Sequence, residues 1–132
     1  MTLDSTQDTG LVSRPRSPGA ARDVVRALLH GERRAVDEMT VADAVLVTSE
    51  LVTNAIRHGE GLRGFGCRVH AGHVEIAVED ASDAVPVTRP RTALLVSGGH
   101  GWPSVCLLAR DVTVTHLPGG GKRVVARIAL PG

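Results

Sequence analysis

Glu50 and Asn54 stand four residues apart in the stretch Leu46-Val47-Thr48-Ser49-Glu50-Leu51-Val52-Thr53-Asn54-Ala55-Ile56-Arg57-His58-Gly59. If that stretch is helical, the two share one face, about 40° apart around the axis, bordering the apolar stripe. A carboxylate there can accept a proton, and a carboxamide can offer a neutral oxygen to Mg²⁺. Spacing alone does not separate such a pair from a solvated Glu with an incidental Asn neighbour. Three further pieces bear on the choice. Val74-Glu75-Ile76-Ala77-Val78-Glu79-Asp80 ends a strand pattern on an acid that can accept a hydrogen bond from an exocyclic amine. Gly98-Gly99-His100-Gly101 precedes a short helix, where backbone N–H groups can cradle an anion. Gly119-Gly120-Gly121-Lys122 precedes the last strand.

Other motifs fail on context. Gly59-Glu60-Gly61-Leu62-Arg63-Gly64 matches G-x-G-x-x-G, but it follows a helix and precedes a strand, the reverse of a dinucleotide loop. Gly121-Lys122 resembles the end of a P-loop, yet Arg123 replaces Ser/Thr and no helix follows. His70 and His73 bracket the Ala71-Gly72 turn, and without a nearby carboxylate or thiolate they make a poor metal site. There is no G-x-S-x-G nucleophile elbow.

The elements that must position these residues follow from periodicity. Ser17-Pro18 reads as an N-cap and first helical position. Ala21, Val24, Val25, Leu28 and Leu29 then fall on one helical face, and Gly31 ends it. For the second helix, Thr40 with Asp43 resembles a capping box. Its buried face is Val41, Ala44, Val45, Thr48, Leu51, Val52, Ala55 and Ile56, with Gly59 as the stop. Cys67, Val69 and Ala71 alternate as one strand, and Val74, Ile76 and Val78 as the next. Residues 81–101 carry Pro86, Pro90, Gly98, Gly99 and Gly101 without clean periodicity, which is expected of a lid or binding loop. Trp102-Pro103 opens a short helix, and Val112 with Val114 forms a strand. After a turn at Pro118–Gly121, Val124, Ala126 and Ile128 form the closing strand. Helix, helix, hairpin, loop, helix, hairpin predicts an α+β fold. It is a two-layer α/β sandwich with a mostly antiparallel sheet and helices on one face.

Composition narrows the class. The chain has 132 residues, 42% of them hydrophobic, which suits one domain with its own core. Residues 1–16 read as a flexible N-terminal tail, and 17–132 as a single domain. Phe65 and Trp102 are the only aromatics, and the net charge is +1, so neither base stacking nor phosphate-backbone attraction supports direct nucleic-acid binding. No uninterrupted apolar run approaches membrane-spanning length, and the N-terminus lacks a signal-peptide pattern. Cys67 and Cys106 are expected as two buried free thiols in a reducing cytoplasm.

Glu50-Leu51-Val52-Thr53-Asn54-Ala55 resembles the N box of the GHKL superfamily of gyrase- and histidine-kinase-like ATPases. Asp80 resembles its G1 aspartate, Gly98 to Gly101 its G2 box, and Gly121 to Ala126 its last strands. The likeness runs over roughly residues 20–130. With no appended domain, the chain is most similar to the anti-sigma-factor serine/threonine kinases. The resemblance implies the Bergerat ATP-binding fold, with ATP and Mg²⁺ as cofactors. It implies Glu50 as general base, Asn54 as Mg²⁺ ligand, and Asp80 on the adenine amine with small Ser82 beside it. Gly99, His100 and Gly101 would lie along the phosphates. The partners it implies are a STAS-type anti-anti-sigma factor, a sigma factor and, in some assemblies, a second copy of the chain.

The G1 segment departs from the family's D-x-G-x-G, because Asp80-Ala81-Ser82-Asp83-Ala84 contains no glycine and Asp83 brings an acid near the nucleotide. Trp102-Pro103 follows the G2 box, and Arg123 stands where the family often has Thr. A second expectation therefore stands beside the kinase: a non-catalytic protein-binding module with the same fold and a degenerate nucleotide site. A third is an ATPase or histidine-kinase fragment, although no dimerisation helix pair with a phospho-acceptor His precedes the domain.

Overall fold

A computed structural model describes residues 14–33, 35–58, 60–84 and 101–131. Helix α1 spans Pro18–His30 and α2 Glu38–Arg57; strands β1 (Leu62–Val69) and β2 (His73–Asp80) follow. Helix α3 spans Gly101–Leu108, and β3 (Asp111–His116) and β4 (Lys122–Ala129) close the fold. The four strands form one sheet in the order β1-β2-β4-β3, with each neighbouring pair antiparallel. This is the expected α+β sandwich. Most of the expected lid, residues 85–100, lies outside these ranges, as do most of the N-terminal tail and Gly59.

The ends of α1 form as their residues dictate. Ser17 Oγ accepts from Ala20 N, Pro18 occupies the first turn, and Gly31 closes the helix. The start of α2 differs from expectation. Asp37, not Thr40, is the N-cap, its Oδ1 accepting from Thr40 N at 2.8 Å. Thr40 is instead buried in the first turn, so its side chain is packed where a cap would have to face the helix end. His58 is the C-cap.

β1 begins at Leu62, five residues before the alternation starting at Cys67. Gly64 and Gly66 hid the pattern, because they sit on the outer face of the sheet while Phe65 between them points into the core. Ala71 falls in the turn rather than the strand.

Val74, Ile76 and Val78 of β2 and Val124, Ala126 and Ile128 of β4 line the inner face. They meet Val41, Ala44, Val47, Leu51, Val52 and Ala55 of α2, while Ala21, Val25 and Leu29 of α1 and Val105 of α3 complete the same cluster. Twenty-residue α2 is long and apolar enough by length and composition to cross a membrane, contrary to the expectation from runs alone. Its apolar stripe is nonetheless occupied by the sheet and the other two helices.

The thiols also differ from expectation. Cys106 is exposed and Cys67 only partly covered. Desolvation, with lesser contributions from Glu75 and Glu32, pushes the Cys67 thiol up to about 12, which keeps it protonated.

Candidate functional site

Glu50 and Asn54 lie on α2, each half-buried at the border of the stripe formed by Leu51, Val52 and Ala55. The helix is held in place there from both sides. Arg22 of α1 donates to Ser49 Oγ at 2.9 Å, immediately before Glu50. Thr48, fully buried, turns its hydroxyl back onto Ala44 O at 2.7 Å, so it spends its polar group within the helix. Among the described residues, neither the Glu50 carboxylate nor the Asn54 carboxamide has a hydrogen-bond or ion-pair partner. Both remain available to a ligand.

The C-terminal end of α2 is tied to the end of β2 by two backbone bonds through Gly61. Gly61 N donates to Ala55 O at 3.3 Å, and Ala81 N donates to Gly61 O at 3.2 Å. Asn54 and Asp80 are thus each one residue from a group on that bridge. Gly61 sustains it at φ +116°, a conformation that favours glycine. The structure therefore connects the N-box helix to the Asp80 loop.

Asp80 is buried, and its neighbours are more specific than the sequence indicated. Lys122, directly opposite across the β2–β4 pair, places Nζ 3.0 Å from Asp80 Oδ1. Both side chains are nearly sealed, at 6% and 4% exposure, so each charge depends on the other. Ser82 N also donates to Oδ1, at 3.0 Å. Lys122 Nζ lies 3.4 Å from Ser82 O as well. The Ser82 N–H and the Lys122 ammonium thus converge on Asp80 Oδ1, while the second lysine contact falls on the Ser82 carbonyl.

The segment after Asp80 does without glycines by using side chains to build its turns. Ser82 is buried, and its Oγ accepts from Ala84 N at 3.0 Å. Asp83 was expected to bring negative charge toward a nucleotide, but its Oδ1 accepts from Gly121 N at 2.9 Å. It pins the Gly119–Gly121 turn to the Asp80 loop. Gly121, at φ +87°, sits where a Cβ would collide with the Asp80 carbonyl and the Arg63 guanidinium. Arg63 in turn donates to Gly120 O at 3.0 Å. Gly121 alone of the three is therefore a packing device between β1, β2 and β4; nothing crowds Gly119 or Gly120.

Arg123, at the family's usual Thr position, faces away from this site. Its Nε donates to Glu79 Oε2 at 2.7 Å on the outer face of the sheet. Lys122 is the residue that enters the site, and strand alternation holds the signal: Lys122 shares the inward face with Val124, Ala126 and Ile128. Gly99 and His100 lie outside the described residues, and Gly101 is the first residue of α3. Trp102 and Val105 from that helix pack on the common core.

A model of the histidine kinase-like ATPase domain matches residues 11–128. The chain belongs to that family. No curated protein matches it. Histidine kinase-like ATPase domains bind ATP, usually with Mg²⁺, and the residues described above fit such a ligand. The Asp80 carboxylate stands in a buried setting, and among the described residues the Glu50 and Asn54 side chains have no hydrogen-bond or ion-pair partner on the adjoining helix.

Proposed function

We propose that this chain is a cytoplasmic Mg-ATP-dependent serine/threonine protein kinase of the anti-sigma-factor type. It transfers the ATP γ-phosphate to a Ser or Thr of a STAS-type antagonist protein and otherwise holds a sigma factor. The observation that carries this reading is the unpartnered Glu50–Asn54 pair on the helix bonded through Gly61 to the Asp80 loop. Glu50 takes the proton from the partner's hydroxyl as that oxygen becomes the nucleophile. The Asn54 carboxamide oxygen holds Mg²⁺, and the Asp80 carboxylate receives the adenine amine. Bound Mg-ATP supplies the phosphoryl group and the charge that neutralises the transfer, so positioning is the protein's main task. Gly99, His100 and Gly101 serve the phosphates in this reading, and Ser82 fixes Asp80 from its backbone N–H.

The test is phosphotransfer from labelled ATP to a candidate antagonist. Glu50→Ala should retain ATP binding and lower transfer by about 10²-fold or more. Asn54→Ala should weaken Mg-ATP binding itself. Undiminished transfer in Glu50→Ala would remove the base assignment.

One observation favours a second reading, the protein-binding module. Lys122 already neutralises Asp80, and an ammonium group beside the base subsite is an uncommon companion for the adenine amine. In that case the Lys122–Asp80 pair is a core strut, and neither Glu50→Ala nor Asn54→Ala changes the affinity for a partner protein.

A further inference from the structure

The β1–β2 hairpin carries a group of side chains that the nucleotide site does not use. His70 and His73 face each other across the Ala71-Gly72 turn, closed by His70 N donating to His73 O at 2.8 Å. Their rings stack with centroids 4.6 Å apart. The sequence suggested that no carboxylate stands near them, but Glu75 is two residues beyond His73 and projects from the same outer face. Its Oε1 lies 3.5 Å from His70 Nε2. One donor atom from each of the three residues falls within 4.8 Å of the others. His70 Nε2 is buried and has no hydrogen-bond partner, an uncommon state for an imidazole nitrogen.

We infer that His70, His73 and Glu75 form a Zn²⁺-binding site with a fourth position open to water. Two imidazoles and one carboxylate are a recognised zinc donor set, and tetrahedral coordination at about 2.0–2.2 Å draws donors to about 3.4 Å apart. From separations of up to 4.8 Å this needs at most about 1.4 Å of closure, within reach of side chains that are 37% exposed at His70 and 24% at Glu75. Glu75 is free to make that move. Its contact with Arg127 Nε is long, at 3.8 Å, whereas Arg127 holds Asp111 at 2.9 Å. Two imidazoles with a single carboxylate are a poor donor set for hard cations such as Mg²⁺ or Ca²⁺, which take oxygen ligands. A metal that bonds to imidazole is the better match. The site stands toward the opposite end of β2 from Asp80, about 17 Å along the strand from Glu75 and about 23 Å from His73 at the usual rise. Its occupancy is therefore separable from nucleotide binding.

The experiment is a Zn²⁺ titration of metal-stripped, tag-free full chain against a chromophoric chelator, with imidazole ¹H–¹⁵N spectra recorded in parallel. The expected result is one Zn²⁺ per chain, with ring signals of His70 and His73 moving first. His70→Ala, His73→Ala and Glu75→Gln should each weaken binding by about tenfold or more, while His30→Ala and His116→Ala leave it unchanged. The wild-type spectra do not depend on any variant folding. Absence of stoichiometric binding, or first shifts at other histidines, would overturn the site.

Discussion

Lys122 decides how the site's charge is balanced. Its ammonium and the Asp80 carboxylate are both nearly sealed from water, so removing one leaves the other uncompensated. Lys122→Met should therefore destabilise the fold by about 3 kcal/mol in urea unfolding, and adding Asp80→Asn should recover much of that loss. A cost below about 1 kcal/mol for the single change would mean that the pair is well solvated. At this scale the sequence was partly legible. Glu50, Asn54 and Asp80 stood out through residue type and spacing, and the structure ties their elements together. Lys122 was passed over because the Gly-Lys pair was weighed only as a phosphate loop and rejected as one, when its strand parity was the informative feature. Asp83 was misjudged for a related reason: its partner, Gly121 N, is 38 positions away and no local pattern marks it.

Among the elements, α2 positions the most chemistry, and its start depends on Asp37. The hydrogen bonds from Thr40 hold the Asp37 carboxyl below its ordinary range, ahead of a small opposing desolvation. A carboxyl depressed in the folded state adds stability above its unfolded pKa of 3.8 and loses it as pH falls through the lower folded value. Asp37→Ala should accordingly lower Tm at pH 7, with the difference from wild type narrowing below pH 3.8. Thermal melts across that range check it, and a pH-independent difference would assign the loss to helix propensity instead. The helices and strands β2 and β4 were legible because most of their periodic apolar residues are buried, although Val24 and Ile56, expected on the buried helix faces, are exposed. Strand β3 was legible from its alternation alone, since none of its residues is fully buried. The first half of β1 was not, since two glycines on the outer face carry no hydropathy signal. The Asp37 cap was missed because Thr40 and Asp43 offered a competing pattern, and burial of Thr40 settles the contest.

For the whole molecule, the two-layer fold follows from the order of elements, and membership of the histidine kinase-like ATPase family agrees with the box order along the chain. Stripes from all three helices and the inner face of the sheet share one core. The carboxylate and carboxamide of α2 are thereby held at its rim, with the Asp80–Lys122 pair at the end of the central strands. The zinc proposal and the nucleotide proposal use opposite ends of β2, so failure of one leaves the other standing. The central claim is that the α2 rim and the Asp80 loop form a Mg-ATP site. Trp102, the only tryptophan, opens α3 directly after the Gly98–Gly101 segment and packs on the core. The most direct measurement is a titration of the full chain with ATP, with and without Mg²⁺, following Trp102 fluorescence and heat. A saturable, Mg²⁺-dependent response that weakens in Asn54→Ala is the predicted result. No response in either signal at millimolar Mg-ATP would contradict the account and leave the fold as a protein-binding module.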